Sequence, residues 1–160
     1  VFYQVPFEGT AKEADPSITA PYATITYFET DITENLLGPI AYCDIQPIIY
    51  SLMPTDNAIY AIKISGDYIY AQTRSVPTQT KPYPTIAEVV ENQSVFDITN
   101  VSATAVGFWF PSSMDGVDYP GFHLHLITDD FSAGGHLLDF IVENAVIEID
   151  QTNKFNLLLP

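Results

Sequence analysis

Gly121-Phe122-His123-Leu124-His125-Leu126-Ile127-Thr128, followed shortly by Ala133-Gly134-Gly135-His136-Leu137-Leu138, holds all three histidines of the 160-residue chain. His-x-His suits a strand, because alternate side chains of a strand share a face. Phe122, Leu124 and Leu126 then face a core, and His123 and His125 face the other way. At a rise of about 3.3 Å per residue their Cα atoms lie about 6.6 Å apart, close enough for two imidazoles to meet at one ion. The Gly-containing acidic run 129–135 reads as a hairpin loop. Pairing residue 125 with 136 puts 123 opposite 138 and 128 opposite 133, and leaves a four-residue loop, 129–132. Directly paired residues share a face, so this register brings His136 to the same surface, and a slip of one residue removes it. Three histidines with an open fourth position are the donor set of a catalytic zinc site. The plainer reading, three polar residues on an exposed sheet face, accounts less well for every histidine in the chain falling at this spacing.

Twenty acidic against five basic residues give a net charge of −15. Such a surface repels phosphate backbones and anionic lipid, so neither nucleic acid nor membrane is expected as a partner. No apolar run approaches the roughly 20 residues of a membrane span. Cys43 is the only cysteine, so no disulfide forms within the chain. It is expected as a small buried apolar group, and the compartment as cytoplasmic rather than secreted. The chain begins at Val1 rather than Met, as a processed or trimmed product would.

Elsewhere in the chain, residues 1–5 read as a strand, 6–19 as a loop or long hairpin connection, and 22–28 as a strand. Residues 29–40 read as a polar linker closed by Gly38-Pro39. Asp44 to Met53 is the best helix, with Asp44 as its cap, Ile45, Ile48, Ile49 and Leu52 on one face, and Pro47 tolerable only in a first turn. Residues 58–65 and 67–73 read as a hairpin turning at Gly66-Asp67. The prolines at 77, 82 and 84 hold an extended segment. A short helix is expected at 85–91, with Thr85 and Glu88 in a capping box. Strands follow at 94–98, 101–110, 145–149 and 155–159, with a loop at 111–120. The fold class is α+β: mainly an antiparallel or mixed β-sheet with one or two short helices and a histidine-bearing hairpin towards the C-terminal part.

Arg74 is the only arginine, placed where a strand meets the proline segment. Its guanidinium suits a carboxylate, and beside a metal it would anchor an anionic substrate. A surface salt bridge to one of the many acids explains it equally well, and the segment alone leaves the two open.

Pro120-Gly121-Phe122-His123-Leu124-His125-Leu126-Ile127-Thr128-Asp129-Asp130, with Gly134-Gly135-His136-Leu137-Leu138-Asp139, closely resembles the metal-binding motif of the alpha-acetolactate decarboxylases. So does the run Thr73-Arg74-Ser75-Val76-Pro77 through Gln79-Thr80 to Pro82-Tyr83. Weaker likeness at 1–4, 21–27 and 59–66 extends the resemblance over nearly all of 1–160. It implies zinc on His123, His125 and His136, and an active-site role for Arg74. The implied reaction takes a small 2-hydroxy-3-keto acid, 2-acetolactate (2-hydroxy-2-methyl-3-oxobutanoate), to (R)-acetoin and CO2, with zinc as a Lewis acid stabilising the enediolate. A homodimer is implied as well.

The family also places two glutamates near its metal. One belongs to an Asp-Gly-Glu segment upstream of the part matching 1–4, the other to a tail beyond the part matching 157–160, and no residue of this chain inherits either role. The chain is therefore expected to form a single unit, 1–160, resembling the family's central part without its N-terminal segment and tail. Two alternatives stand beside the enzyme. One is a non-catalytic relative that binds metal and small carboxylates. The other is a small-barrel His-x-His protein using iron or manganese, which leaves the Arg74 segment unexplained.

Overall fold

Runs rich in β-branched and aromatic residues fold here into strands far longer than the turn signals of the sequence imply. The computed structural model describes residues 2–18, 20 and 23–158. A short hairpin pairs β1 (Tyr3–Gln4) with β2 (Lys12–Glu13). The main sheet contains β3 (Ile32–Ala41), β4 (Ile59–Ser75), β5 (Ser94–Phe110), β6 (Gly121–Thr128) and β7 (Gly134–Thr152), in the order β3-β7-β4-β5-β6. Two helices, α1 (Tyr42–Leu52) and α2 (Ile86–Glu91), complete it, and all the described pairings are antiparallel. The α+β class with a dominant antiparallel sheet is the one the sequence led us to expect.

The sheet closes on itself. β4 pairs with β5 along one edge and β7 along the other, β5 pairs with β6, and β6 pairs with β7 through His125, Leu126 and Ile127. Beyond His136, β7 gives its free edge to β3, from Ile141 to Ile149. The expected pairing of 123 with 138 is therefore not formed: His123 lies opposite Phe108 of β5. At the loop the expected contact holds, with the Thr128 N–H donating to the Ala133 carbonyl at 3.0 Å.

Inside the sheet, Ile62, Ile64, Tyr68, Phe140, Ile147 and Ile149 are sealed from water. From α1, Ile45 and Ile49 pack into this cluster, while Tyr42 stacks on Phe140 and Tyr50 meets Phe122 edge-on at 5.2 Å between ring centroids. Burying aliphatic and aromatic side chains of this size is worth about 1.5–3 kcal/mol each, which makes this cluster the main source of stability. Among the described residues no helix is long and apolar enough to cross a membrane.

Several expectations fail, each for a physical reason. Residues 29–40 hold the edge strand β3, because Ile32, Glu34 and Leu36 alternate inward beside β7; Gly38-Pro39 sits at a bulge between Leu37 and Ile40 rather than ending the element. Residues 23–28 form no strand, with Ile25 82% and Tyr27 98% exposed, and Tyr22 lies outside the described residues. Strand propensity makes a strand only where a partner edge is engaged, and these residues engage none. The first helix starts at Tyr42 with Ala41 as its cap, so Asp44 falls within its first turn and Pro47 within its interior. Cys43 is exposed, because the core-facing stripe of α1 belongs to Ile45 and Ile49. The strands expected at 94–98 and 101–110 are one, with Asn100 at φ 54° where they join, and 145–149 is part of β7. Residues 155–158 form no strand, and Leu159 lies outside the described residues. The capping box of α2 is present as expected, with the Glu88 N–H donating to Thr85 Oγ1 and the Thr85 N–H to Glu88 Oε2.

The turn expected at Gly66-Asp67 is absent too, and Gly66 lies inside the continuous β4. A Cβ there would collide with the Asn144 carbonyl oxygen and lie 2.7 Å from Ala145 Cα. The glycine serves close strand approach rather than a turn. Gly66→Ala should therefore lower stability by about 1–3 kcal/mol, as overpacking does, read from the urea midpoint. An unchanged midpoint would mean that the β4–β7 approach is looser than described.

Candidate metal centre

A single cross-strand row builds the site. His125 pairs with Val106 on β5 and His136 on β7, His136 pairs with Arg74 on β4, and Arg74 pairs with Val95 back on β5. Paired residues share a face, so the row places two histidines and the only arginine on one surface. His123, two residues before His125, joins them by strand alternation. The intervening Leu124 and Leu126 are buried in the core, and Phe122 packs against it, as the alternation requires. Gly135 lets β7 come close to β4 here: its φ is 133°, and a Cβ would lie 2.8 Å from the Arg74 carbonyl oxygen.

The ligand atoms of His123, His125 and His136 all lie within 4.8 Å of one another. Nε2 of His123 and Nε2 of His125 are 3.2 Å apart. Two nitrogens bound tetrahedrally at about 2.0–2.1 Å from one zinc ion lie about 3.3 Å apart, so this spacing fits a shared ion. The cluster can hold a metal ion.

The protonation of the cluster fits as well, because a metal ligand must be a neutral imidazole. Desolvation lowers all three histidines. His125 falls to about 4, with His123 and then Arg74 adding to the effect. His136 falls to about 3, with Arg74 the next cause and its fellow histidines after that. His123 is also lowered, though the carboxylate of Asp118 pulls it back up and Arg74 opposes that pull. Arg74 thus acts electrostatically on every member, and its Nη1 donates to Gln93 Oε1 at 3.1 Å.

Every site residue expected from sequence is brought together here. Two neighbours were missed. Gln93 lies in the short junction between α2 and β5, and nothing in that junction's sequence shows that it reaches Arg74. Asp118, which accepts from Thr24 Oγ1 at 3.0 Å, lies in the loop before β6, and no spacing rule ties it to His123.

The family model for alpha-acetolactate decarboxylase matches residues 1–160. This chain belongs to that family. Among alpha-acetolactate decarboxylases, the Methanosarcina mazei protein is 42% identical over 159 residues, which cover 99% of this chain and 55% of that protein. The Brevibacillus brevis protein is 36% identical, with 99% and 56% covered. The crystal structure of acetolactate decarboxylase from Bacillus subtilis subspecies spizizenii superposes with a TM-score of 0.95 at 34% identity, over 99% of this chain and 68% of that one. The chain spans little more than half the length of the two curated relatives it matches at 42% and 36% identity.

The lowered histidines carry a sign. Unfolded histidines take up protons near their ordinary value of 6.5, whereas His125 and His136 resist protonation down to about 4 and about 3. Their contribution to stability is complete above about pH 6.5 and is lost as pH falls from there towards the folded values. The urea midpoint of the metal-free chain should fall between pH 6.5 and pH 4, and that of His125→Gln should fall less steeply. Parallel curves would contradict the assignment.

Proposed function

We propose that this unit carries the site for metal-dependent decarboxylation of 2-acetolactate to (R)-acetoin and CO2, with zinc on His123, His125 and His136. The reading rests on one observation above the rest: three histidines converge, and the only arginine shares their cross-strand row. Family membership supports the same chemistry.

In this reading the three imidazoles stay neutral and offer their lone pairs at physiological pH. The Arg74 guanidinium takes the substrate carboxylate through two parallel hydrogen bonds and sets the direction in which the bond to the carboxyl carbon breaks. That bond's electron pair passes through the adjacent carbon into the ketone, and the carbon that lost CO2 later takes a proton to give the hydroxyketone. Zinc, when bound, supplies Lewis acidity for the developing negative charge. A surface of charge −15 makes a small anion's approach to Arg74 depend on the local field of that residue and the metal, since the rest of the protein repels it.

A second reading keeps the metal and the carboxylate site without turnover. It is favoured by the donor set: the clustered residues are histidines alone, and His125 is exposed.

Racemic acetolactate and zinc supplied to the chain should give acetoin. His125→Ala should abolish both turnover and zinc retention, and Arg74→Ala should reduce kcat/KM by about 10²–10³-fold, the cost of losing one well-placed charge partner. Zinc retained with no turnover would support the binding relative. Iron, rather than zinc, in protein purified without added metal would sink the zinc assignment.

A further inference from the structure

We propose that Gln93 is a positioning residue for Arg74, and that α2 is built to hold it; this rests on the reading of Arg74 as the carboxylate anchor. The partner choice of Arg74 is anomalous. Acids outnumber bases four to one here, yet the side-chain acceptor of Arg74 is the neutral amide oxygen of Gln93, at 3.1 Å. Among the described residues the one ion pair joins Lys63 to Glu148, far along the sheet from this row. A carboxylate at position 93 would bind the guanidinium more strongly, but it would also cancel the charge that a substrate carboxylate needs. An amide fixes the fork and leaves the charge free.

The placement of Gln93 is over-determined. Its backbone N–H donates to the Val90 carbonyl at 3.1 Å, and that of Asn92 donates to the Val89 carbonyl at 3.2 Å, so the chain leaves α2 in a set direction. Asn92 Nδ2 donates to the Glu88 carbonyl, the reciprocal Thr85–Glu88 cap closes the other end, and Val89 is buried. The next residue, Ser94, opens β5 opposite Ser75, and Val95 faces Arg74 itself. A six-residue helix is too short to persist alone. Here its cap and its buried valine fasten the residue that touches Arg74.

The test is calorimetry on the zinc-loaded chain with two probes. 2-Hydroxy-2-methylpropanoate carries the carboxylate and has no ketone, so it cannot lose CO2. 3-Hydroxybutan-2-one is neutral. Gln93→Glu should weaken the carboxylate probe by about tenfold or more, the scale of one hydrogen bond to a charged group, and leave the neutral probe unchanged. Gln93→Met, uncharged and of similar shape, should weaken the carboxylate probe by a smaller factor, with zinc stoichiometry intact. Equal loss for both probes would show a merely structural role and overturn the proposal, as would unchanged carboxylate binding in Gln93→Glu. Arg74→Ala separates the two layers. If it weakens the carboxylate probe while Gln93→Glu does not, only the Gln93 inference fails; if it has no effect, the anchoring role fails and the inference with it.

Discussion

Three residue pairs, His125 with His136, Leu126 with Gly135 and Ile127 with Gly134, close the β4-β5-β6-β7 ring, and the candidate site depends on that closure. Pairing sets which face each side chain takes. A one-residue slip of β7 against β6 would turn His136 away from His123 and His125 and would put Leu137, now buried, in its place. The core therefore enforces the site. Leu124, Leu126 and Leu137 are held inward by the hydrophobic effect, and the residues that alternate with them are delivered outward as a group. Close backbone approach completes the arrangement: at Gly134 a side chain would collide with the Leu126 carbonyl, and at Gly107 with the His123 carbonyl.

The local electrostatics follow from the same geometry. In a chain so rich in acid, the cluster gathers three imidazoles, each with its pKa lowered, beside a cation whose acceptor is a neutral amide. Desolvation and Arg74 together disfavour protons on the imidazoles, which leaves their lone pairs for a metal. Arg74 thus acts on the cluster it borders as well as on any anion that approaches it.

Much of the site was legible in the sequence because its signals are local. His-x-His on one strand, a four-residue loop and a third histidine at the returning position carry the geometry without any long-range information. The capping box of α2 is legible for the same reason, as its partners are three residues apart. The long strands were not. Gly66 reads as a turn, and only the nearness of Asn144 and Ala145, almost eighty residues on, shows that it is there to let two strands touch. Residues 29–40 read as linker because β3 owes its existence to a free edge of β7 rather than to its own composition. Residues 23–28 mislead in the opposite sense: their β propensity is strong, yet they pair with no strand. The expected burial of Cys43 rests on a general preference of that residue type, which the helix phase set by Ile45 and Ile49 overrides. Gln93 and Asp118 reach the site from loops and junctions, where position in sequence carries little information about position in space.

The central claim is that all three imidazoles meet at one ion, and the most direct test is X-ray absorption at the zinc edge of the zinc-loaded chain. Three imidazole nitrogens at about 2.0–2.1 Å are expected, with oxygen ligands completing the coordination and no sulfur. Fewer than three imidazoles, or a sulfur from Cys43 at about 2.3 Å, would contradict the claim.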